Sequence, residues 1–249
     1  MNTLKWTIAV LAALVFFATV LPTTAQIPDE FTNLKMLPKD ISKRELVKIM
    51  RSWSGALGAR CSYCHVAEDP TDLATFDFAS DDKEEKRAAH VMIEMAGEIN
   101  AVHLSKLEHG GEARVRCITC HHGVPKPETI DNVVADVLEK DGLDKAAAEY
   151  RKLREEYYGK AAYDFSAGPL NALAERLAQE DKDVANAIAV VRLNIEFNPD
   201  DASSHLMLGQ LYQASGDKAA AIASIEKSLE LDPDNQWAKG LLEKIKSAE

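Results

Sequence analysis

Two short motifs contain all four cysteines of the sequence, Cys61-Ser-Tyr-Cys64-His65 and Cys117-Ile-Thr-Cys120-His121. Both have the form C-x-x-C-H, which is the attachment signature of a c-type haem. Two cysteines three residues apart lie on one face of a helical turn, where both can form thioethers with a porphyrin, and the adjoining histidine can bind the iron. The sequence therefore predicts two covalently bound haem c groups. The predicted anchors are Cys61, Cys64, Cys117 and Cys120, and the predicted proximal iron ligands are His65 and His121.

Other uses of paired cysteines fit the spacing less well. A zinc ribbon has its two C-x-x-C pairs about 15–20 residues apart, whereas residues 64 and 117 are much further apart. A thioredoxin-like redox pair follows a strand in a βαβ unit, but the flanking sequence here indicates helix and loop. A disulfide within each C-x-x-C pair is the remaining alternative, and the histidine after each pair argues against it.

A helix is predicted before each motif to position the haem. Ser42 and Glu45 form a capping box at the start of the first helix, and Gly58 is a stop signal at its end. Its apolar face carries Leu46, Met50, Trp53 and Leu57. A lone methionine on such a face is usually core packing, but beside a haem motif Met50 is a candidate sixth iron ligand. A second helix is predicted from about residue 83 to 107, with Met92 and Met95 on its apolar face.

The N-terminus has the pattern of a secretory signal peptide over residues 1–25. One lysine precedes an apolar run, and small residues precede Gln26. Because c-type haem is attached outside the cytoplasm, export and a periplasmic location are expected. The run is somewhat long for a signal peptide, so an uncleaved N-terminal membrane anchor is the alternative. No cysteine is present there to carry a lipid.

The charge of the sequence argues against nucleic acid as a partner. There are 29 Lys and Arg against 40 Asp and Glu, which gives a formal net charge of −11. Residues 129–249 hold 14 basic and 23 acidic side chains, whereas residues 33–60 hold 7 basic and 2 acidic ones. This basic segment has two interpretations: it offsets haem propionates and solvates a helix, or it docks an acidic redox partner.

The segments around these motifs resemble the cytochrome c subunit of photosynthetic reaction centres over about residues 31–127. The resemblance rests on the Leu-x-x-x-Met helix before Cys61, on the segment from Met92 to Asn100, and on residues 117–123. It implies that a helix methionine is the sixth ligand of each haem, which pairs Met50 with His65 and Met95, in preference to Met92, with His121. That subunit has four haems and is usually lipid-anchored, whereas this sequence has two motifs. A general periplasmic dihaem carrier is therefore expected, and a membrane-bound complex is one candidate partner. The competing iron ligands are His90, His103, His109 and His122, and a histidine at the second haem would lower its potential.

A repeat of 34 residues appears from about residue 168 onwards. Ala187-Ile-Ala189 corresponds to Ala221-Ile-Ala223, and Asn198-Pro-Asp200 corresponds to Asp232-Pro-Asp234. This is the tetratricopeptide period, in which each repeat is a helix pair that must stack on a neighbour. Helices predicted at 131–158 and 236–248 would complete the stack. Such a module offers a surface for a protein or peptide, or it only caps or dimerises the cytochrome.

The sequence as a whole predicts an all-α protein with four parts. They are a signal peptide (1–25), a multihaem c-type cytochrome domain with two haems (26–128), a helical linker (129–166) and a tetratricopeptide-repeat domain (167–249). The expected role is single-electron transfer between redox protein partners, and not enzymatic catalysis. The alternatives are a dihaem peroxidase or a gas or redox sensor with one open iron, or a scaffold in which the haem is incidental to binding. The sixth ligand of each haem separates the carrier from the peroxidase or sensor.

Overall fold

A computed structural model describes residues 27–109 and 112–247 of the chain. The predicted signal peptide lies outside these residues. The chain divides into two compact units, the first extending to Pro125 and the second beginning at Lys126. None of the helices in the described segments combines the length and apolarity that crossing a bilayer requires.

The first unit is built from two helix pairs, each a long helix followed by a short one. Helix α1 (Lys43–Leu57) precedes α2 (Cys61–Cys64), and α3 (Glu84–Glu98) precedes α4 (Cys117–His121). The Ser42 hydroxyl caps α1 by accepting from the Glu45 amide at 3.3 Å, and Gly58 ends α1 with a left-handed φ of 60°. These observations confirm the helix start at Ser42 and the glycine stop that the sequence predicts. The Glu45 carboxylate accepts from the Ser42 hydroxyl at 2.9 Å.

The helix predicted over about residues 83–107 changes type on the way. Helix α3 ends at Glu98, a π-helical turn covers Ile99–His103, and a 3₁₀ turn covers Leu104–Lys106. Apolar periodicity continues through Val102, but a π turn adds a residue to the repeat and rotates the side chains that follow. The predicted helix is therefore present from Glu84 to Lys106, but it is an α-helix only as far as Glu98.

A small hairpin in the acidic segment was not predicted. Strands β1 (Val66–Ala67) and β2 (Phe76–Asp77) pair antiparallel, and a 3₁₀ turn at Leu73–Thr75 lies between them. The hairpin directly follows α2 and ends in the segment 78–82, which leads to α3. It thus returns the chain to the first cysteine motif.

Each long helix of the first unit packs against the short cysteine-bearing helix of the other pair. Helix α1 contacts α4, and α3 contacts α2. At the first contact the Gly123 amide donates to the Ala56 carbonyl at 2.9 Å. Gly58 lies so close to Gly123 that an added Cβ would overlap the Gly123 carbonyl oxygen. At the second contact the Lys83 ammonium donates to the Ser62 carbonyl. The two cysteine motifs therefore form one interlocked unit.

The second unit consists of seven helices within the described residues. They are α5 (Ile130–Asp141), α6 (Leu143–Tyr157), α7 (Ala167–Gln179), α8 (Val184–Phe197), α9 (Ala202–Ser215), α10 (Lys218–Leu231) and α11 (Gln236–Ser247). Consecutive helices pack against one another except α6 and α7, which are joined by residues 158–166; α7 packs against α5 as well as α8. Asp183 and Asp217 cap α8 and α10 in the same way, each accepting from the amide three residues later.

The core of the second unit includes the segment that the sequence suggests as a linker. Helices α5 and α6 contribute Val134 and Tyr150, which share one buried cluster with Leu170 of α7 and Val191 of α8. The aromatic residues that follow α6 join this cluster in part: Phe165 is buried, whereas Tyr158 is 65% exposed. The two helices of the predicted helical linker, α5 and α6, are thus part of the core of the second unit.

Candidate functional site

The first motif forms a single helical turn, α2, that presents its histidine beside an aromatic side chain. His65 follows α2 and donates its backbone N–H to the Cys61 carbonyl at 3.0 Å. The Phe78 ring meets the imidazole edge-on, with ring centroids 5.0 Å apart. Cys61 is exposed and Cys64 is half-buried, and neither forms a disulfide.

The imidazole of His65 is held in its neutral form. Burial, and next the positive charge of Lys86, lower the pKa of His65 from its ordinary value of 6.5 to about 4, with a smaller opposite effect from the Phe78 backbone carbonyl. Its Nδ1 atom is buried and makes no hydrogen bond within the limits of normal geometry. A neutral imidazole is the form that binds a metal ion through nitrogen, so this environment suits an iron ligand.

Lys86 organises the segment that carries Phe78. Its ammonium is buried and donates to the carbonyls of Phe78, Ala79 and Ser80 at 2.9, 3.1 and 2.7 Å. It also lies 3.0 Å from a carboxylate oxygen of Asp81. A buried ammonium needs such oxygen partners because an unpaired charge is costly away from water. The sequence prediction missed this lysine, since three of its four partners are backbone carbonyls that no side-chain pattern reveals.

Asp81 connects the same segment to the start of the described chain. Its carboxylate accepts from Lys35 and, at 3.0 Å, from the Asn33 side chain. Asn33 also donates to the Ala79 carbonyl at 2.6 Å. Hydrogen bonds from Lys35 and from Asn33, together with the nearby positive charge of Lys86, hold the pKa of Asp81 well below its usual range. The carboxylate is therefore ionised at neutral pH and ties residues 33–35 to the segment beside His65.

The second motif forms the five-residue helix α4, and His121 is its last residue. The Nδ1 atom of His121 lies 3.0 Å from the Val124 carbonyl, which fixes the ring and leaves Nε2 as the second ring nitrogen. A hydrogen bond of this kind to the backbone is the usual support of a metal-binding histidine. Val124 is buried, so the supporting carbonyl is well placed. Cys117 is half-buried and Cys120 is exposed.

The candidate sixth ligands lie on α1 and α3. Met50 is half-buried on α1, on the same side as the buried Leu46. Met92 and Met95 on α3 are 46% and 45% exposed. The exposure of the two α3 methionines is so similar that it does not separate them. Among the competing histidines, His90 is half-buried on α3, whereas the exposed ones are His103, His109 and His122.

The first unit has the donor atoms and the apolar surface that a haem requires. Within residues 27–109 and 112–125 the buried apolar side chains are Leu46, Ala56 and Val124. Large apolar side chains remain exposed on α3 and on α4 itself: Val91, Met92, Met95 and Ile118. A unit of this size with so few buried apolar residues needs further apolar volume to be stable. A porphyrin attached to each cysteine pair would supply that volume, so the residues present fit the group.

Comparison with known proteins decides the family. The family model described as the photosynthetic reaction centre cytochrome C subunit matches residues 15–194. This chain belongs to the photosynthetic reaction centre cytochrome c subunit family. The match confirms the family that the cysteine motifs and methionine helices suggest, and it extends beyond them into α8 of the second unit. Membership of a c-type cytochrome family implies covalently bound haem c.

Two further matches describe other parts of the chain. A tetratricopeptide repeat model matches residues 202–235, which contain α9 and α10. Cytochrome c-554 of Chloroflexus aurantiacus is 36% identical over 72 residues, which are 29% of this chain and 16% of that protein. The similarity to that relative thus covers a small part of its length. This member of the cytochrome c subunit family therefore joins a haem-binding unit to a tetratricopeptide repeat in an all-α fold.

Proposed function

We propose that this protein is an exported dihaem c-type cytochrome that transfers single electrons between redox protein partners. The supporting observation is the pair of cysteine-bearing turns, each followed or ended by a histidine whose ring is neutral by burial (His65) or oriented by a backbone carbonyl (His121). The four cysteines would anchor two haems, one on each turn. Bound haem supplies a one-electron couple at its iron.

Met50 is the proposed sixth ligand of the haem at His65. It shares the inner side of α1 with Leu46, and a helix fixes the direction of its side chains, so the thioether is presented without a loop rearrangement. Met95 is the proposed sixth ligand of the haem at His121. A methionine thioether held by the haem iron together with the histidine would close the iron and raise its potential, as an electron carrier requires.

Separate substitutions test these ligands. Met50→Leu and Met95→Leu should each remove methionine ligation from one of the two haems, measured by the red-region charge-transfer band of the ferric protein. Met92→Leu is the matched control on the same helix and should leave both haems unchanged. If Met92→Leu acts and Met95→Leu does not, the two roles are exchanged. If neither acts, methionine ligation at the second haem is wrong.

The positive charges on the exposed side of α1 favour the binding of an acidic redox partner. Arg44, Lys48 and Arg51 are exposed and spaced four and three residues apart, so they form one row on the helix surface. None of the three has a carboxylate within ion-pair distance in the described residues, whereas Lys35 and Lys43 are paired. The row lies on the side of α1 away from Leu46 and Met50. That position favours docking over neutralisation of propionates on a haem bound by Met50.

Salt and charge variants test the docking surface. Replacing Arg44, Lys48 and Arg51 together by Gln should lower the rate of reduction by an acidic donor at low ionic strength and weaken its salt dependence. Lys39→Gln and Arg60→Gln are controls, since both residues are exposed basic side chains outside the row. An unchanged salt dependence in the triple variant would contradict docking through this row.

The repeat unit is proposed to bind a protein or a peptide. Tetratricopeptide helices stack into a surface for partner recognition, and the family match at residues 202–235 shows that such a repeat is present. The periplasm is the proposed location, because haem c attachment takes place outside the cytoplasm. A fusion of residues 1–40 to a periplasm-dependent reporter tests export directly.

Carbon monoxide distinguishes the carrier from a peroxidase or sensor. The haem content is first counted by mass spectrometry of the denatured protein, where two haems are expected. The absorption spectrum of the reduced protein is then recorded before and after carbon monoxide is added. An unchanged spectrum supports two closed irons and an electron carrier. A clear shift identifies an open iron and favours the peroxidase or sensor.

A further inference from the structure

Asn100 lies in the π-helical turn after α3 and makes three hydrogen bonds with its side chain. The Nδ2 group donates to the Ala96 carbonyl at 2.7 Å and to the Val115 carbonyl at 2.8 Å. The Oδ1 atom accepts from the Val115 amide at 2.8 Å. Every donor and acceptor of this amide except one lone pair is therefore used on the backbone.

The two bonds to Val115 resemble the paired bonds between neighbouring strands. Both the N–H and the C=O of Val115 are satisfied by one side chain, fifteen residues away in sequence. A side chain that pairs with both backbone groups of a residue fixes that residue in distance and in orientation. The bond to the Ala96 carbonyl is enough to cap the end of helix α3, so the two bonds to Val115 have a separate consequence.

That consequence concerns the start of α4. Val115 precedes Cys117 by two residues, and the intervening Arg116 donates its amide to the Thr119 hydroxyl at 3.0 Å. The backbone from Val115 into α4 is thus hydrogen-bonded at each step. Apart from the bonds of Asn100, one hydrogen bond joins residues 84–109 to residues 112–121 in the described part of the chain. It runs from the Glu112 amide to the His109 carbonyl within a local turn. Asn100 therefore makes the tie between the end of the Met95 helix and the start of the second haem motif.

The π turn places Asn100 where this tie is possible. Helix α3 ends at Glu98, and the wider turn at Ile99–His103 shifts the side chains that follow. Single π turns in helices often occur at functional positions. Here the amide of Asn100 bonds both to the Ala96 carbonyl of its own helix and to the backbone of Val115, two residues before Cys117.

We propose that Asn100 is a positioning residue for the second haem. It holds the turn Cys117–His121 at a fixed place relative to Met95, so that one iron reaches His121 and the thioether together. This role rests on the proposed function, in which Met95 is the sixth ligand of that haem. Asn100 does not bind the iron or the porphyrin.

The test uses variants of the full, haem-loaded chain. Asn100→Leu keeps the size of the side chain and removes all three hydrogen bonds. Asn100→Asp keeps the acceptor for the Val115 amide and removes both donors. This variant replaces Asn100→Leu in the test if the leucine variant does not accumulate in cells. Ser105→Ala is the matched control, because that hydroxyl bonds only to the Ala101 carbonyl in the same segment at 2.7 Å.

The expected result is a change in ligation with no loss of haem. Mass spectrometry should show two haems in every variant, while Asn100→Leu loses the methionine charge-transfer band from one haem and that haem becomes reactive to carbon monoxide. Ser105→Ala should behave as the wild type. Met95→Leu is measured in parallel. The double variant of Met95→Leu and Asn100→Leu should lose no more of the methionine charge-transfer band than either single variant.

Two outcomes would overturn the inference in distinguishable ways. If Met95→Leu abolishes the band of one haem but Asn100→Leu and Asn100→Asp leave both haems methionine-ligated and closed to carbon monoxide, Asn100 is structural and the positioning role is wrong. If Met95→Leu has no effect on either haem, the proposed ligand fails and the positioning role fails with it.

Discussion

Replacing Lys86 by methionine should destabilise the first unit selectively. Methionine keeps the apolar stem of lysine but removes the ammonium, which bonds the carbonyls of Phe78, Ala79 and Ser80 and pairs with Asp81. Removing one member of a buried ion pair costs about 3–5 kcal/mol. The Asp81 side chain is 21% exposed and keeps its bonds to residues 33 and 35, so the lower end applies. We expect a loss of about 3 kcal/mol in the free energy of unfolding, or roughly a hundredfold in the folding constant.

Denaturant unfolding of the haem-loaded protein measures this loss. Circular dichroism in the Soret region reports the haem environment, whereas the far-ultraviolet signal is dominated by the seven helices of the second unit. The Soret transition of Lys86→Met should move to lower urea concentration, and the far-ultraviolet transition should move little. Lys48→Met is the matched control, because Lys48 is exposed on α1 and has no ion pair in the described residues. Its change should stay within about 0.5 kcal/mol.

The same variant should also alter the first haem. Lys86 holds the carbonyl of Phe78, and the Phe78 ring packs against His65 with centroids 5.0 Å apart. A shift in the spectrum of one haem at low denaturant is therefore expected. If Lys86→Met is as stable as Lys48→Met, or if both transitions move equally, the ammonium does not organise this segment and the reasoning is refuted.

Three further substitutions test other parts of the fold. The pKa of the Asp81 carboxylate is depressed chiefly by Lys35, so the stability that this carboxylate contributes is present above the ordinary pKa of about 4 and is lost as the pH falls towards the folded value. Asp81→Asn should be less stable than the wild type at pH 7, and the difference between their urea midpoints should shrink below pH 4. A difference that stays constant with pH would show that the ionisation of Asp81 does not contribute to stability. Gly58→Ala should lower the free energy of unfolding by about 2 kcal/mol or more, because φ is 60° and the added Cβ overlaps a backbone carbonyl. The control Gly55→Ala, in the preceding helix α1 with open space around it, should be neutral or up to about 1 kcal/mol stabilising. Equal urea midpoints for the two variants would contradict the close contact between Gly58 and Gly123. Gly209→Ala should lower the melting temperature of the second unit by an amount equivalent to about 1–3 kcal/mol, because the added Cβ would overlap a buried isoleucine. An unchanged far-ultraviolet melting curve would show that the repeat helices move to accommodate the added methyl group.

The elements that the sequence predicted well depend on local signals. The N-cap at Ser42, the left-handed stop at Gly58 and the 34-residue repeat are all decided by residues near one another in the chain. Helices α5 and α6 likewise lie where the sequence predicts helices, over residues 131–158. Such features need no knowledge of the tertiary structure.

The parts that the sequence did not reveal depend on long-range contacts with backbone atoms. The role of Lys86 is not predicted, because the backbone carbonyls that it binds leave no pattern in the sequence. Asn100 read as a residue within a continuous helix, because the apolar period does not register the extra residue of a π turn. The hairpin of β1 and β2 has only two residues in each strand, which is too short for an alternating pattern. The identity of the sixth iron ligands stays a prediction.

The contrast in buried apolar residues has a consequence for how the protein is made. The second unit contains a continuous core of side chains and can bury it as soon as its helices are synthesised. The first unit, with buried apolar residues at Leu46, Ala56 and Val124 within its described part, gains most of its interior when haem is attached. Chains that have not received haem should therefore have a folded C-terminal half and a protease-sensitive N-terminal half. Haem supply would then set the amount of intact protein, because chains without the cofactor are degraded from the haem-binding end.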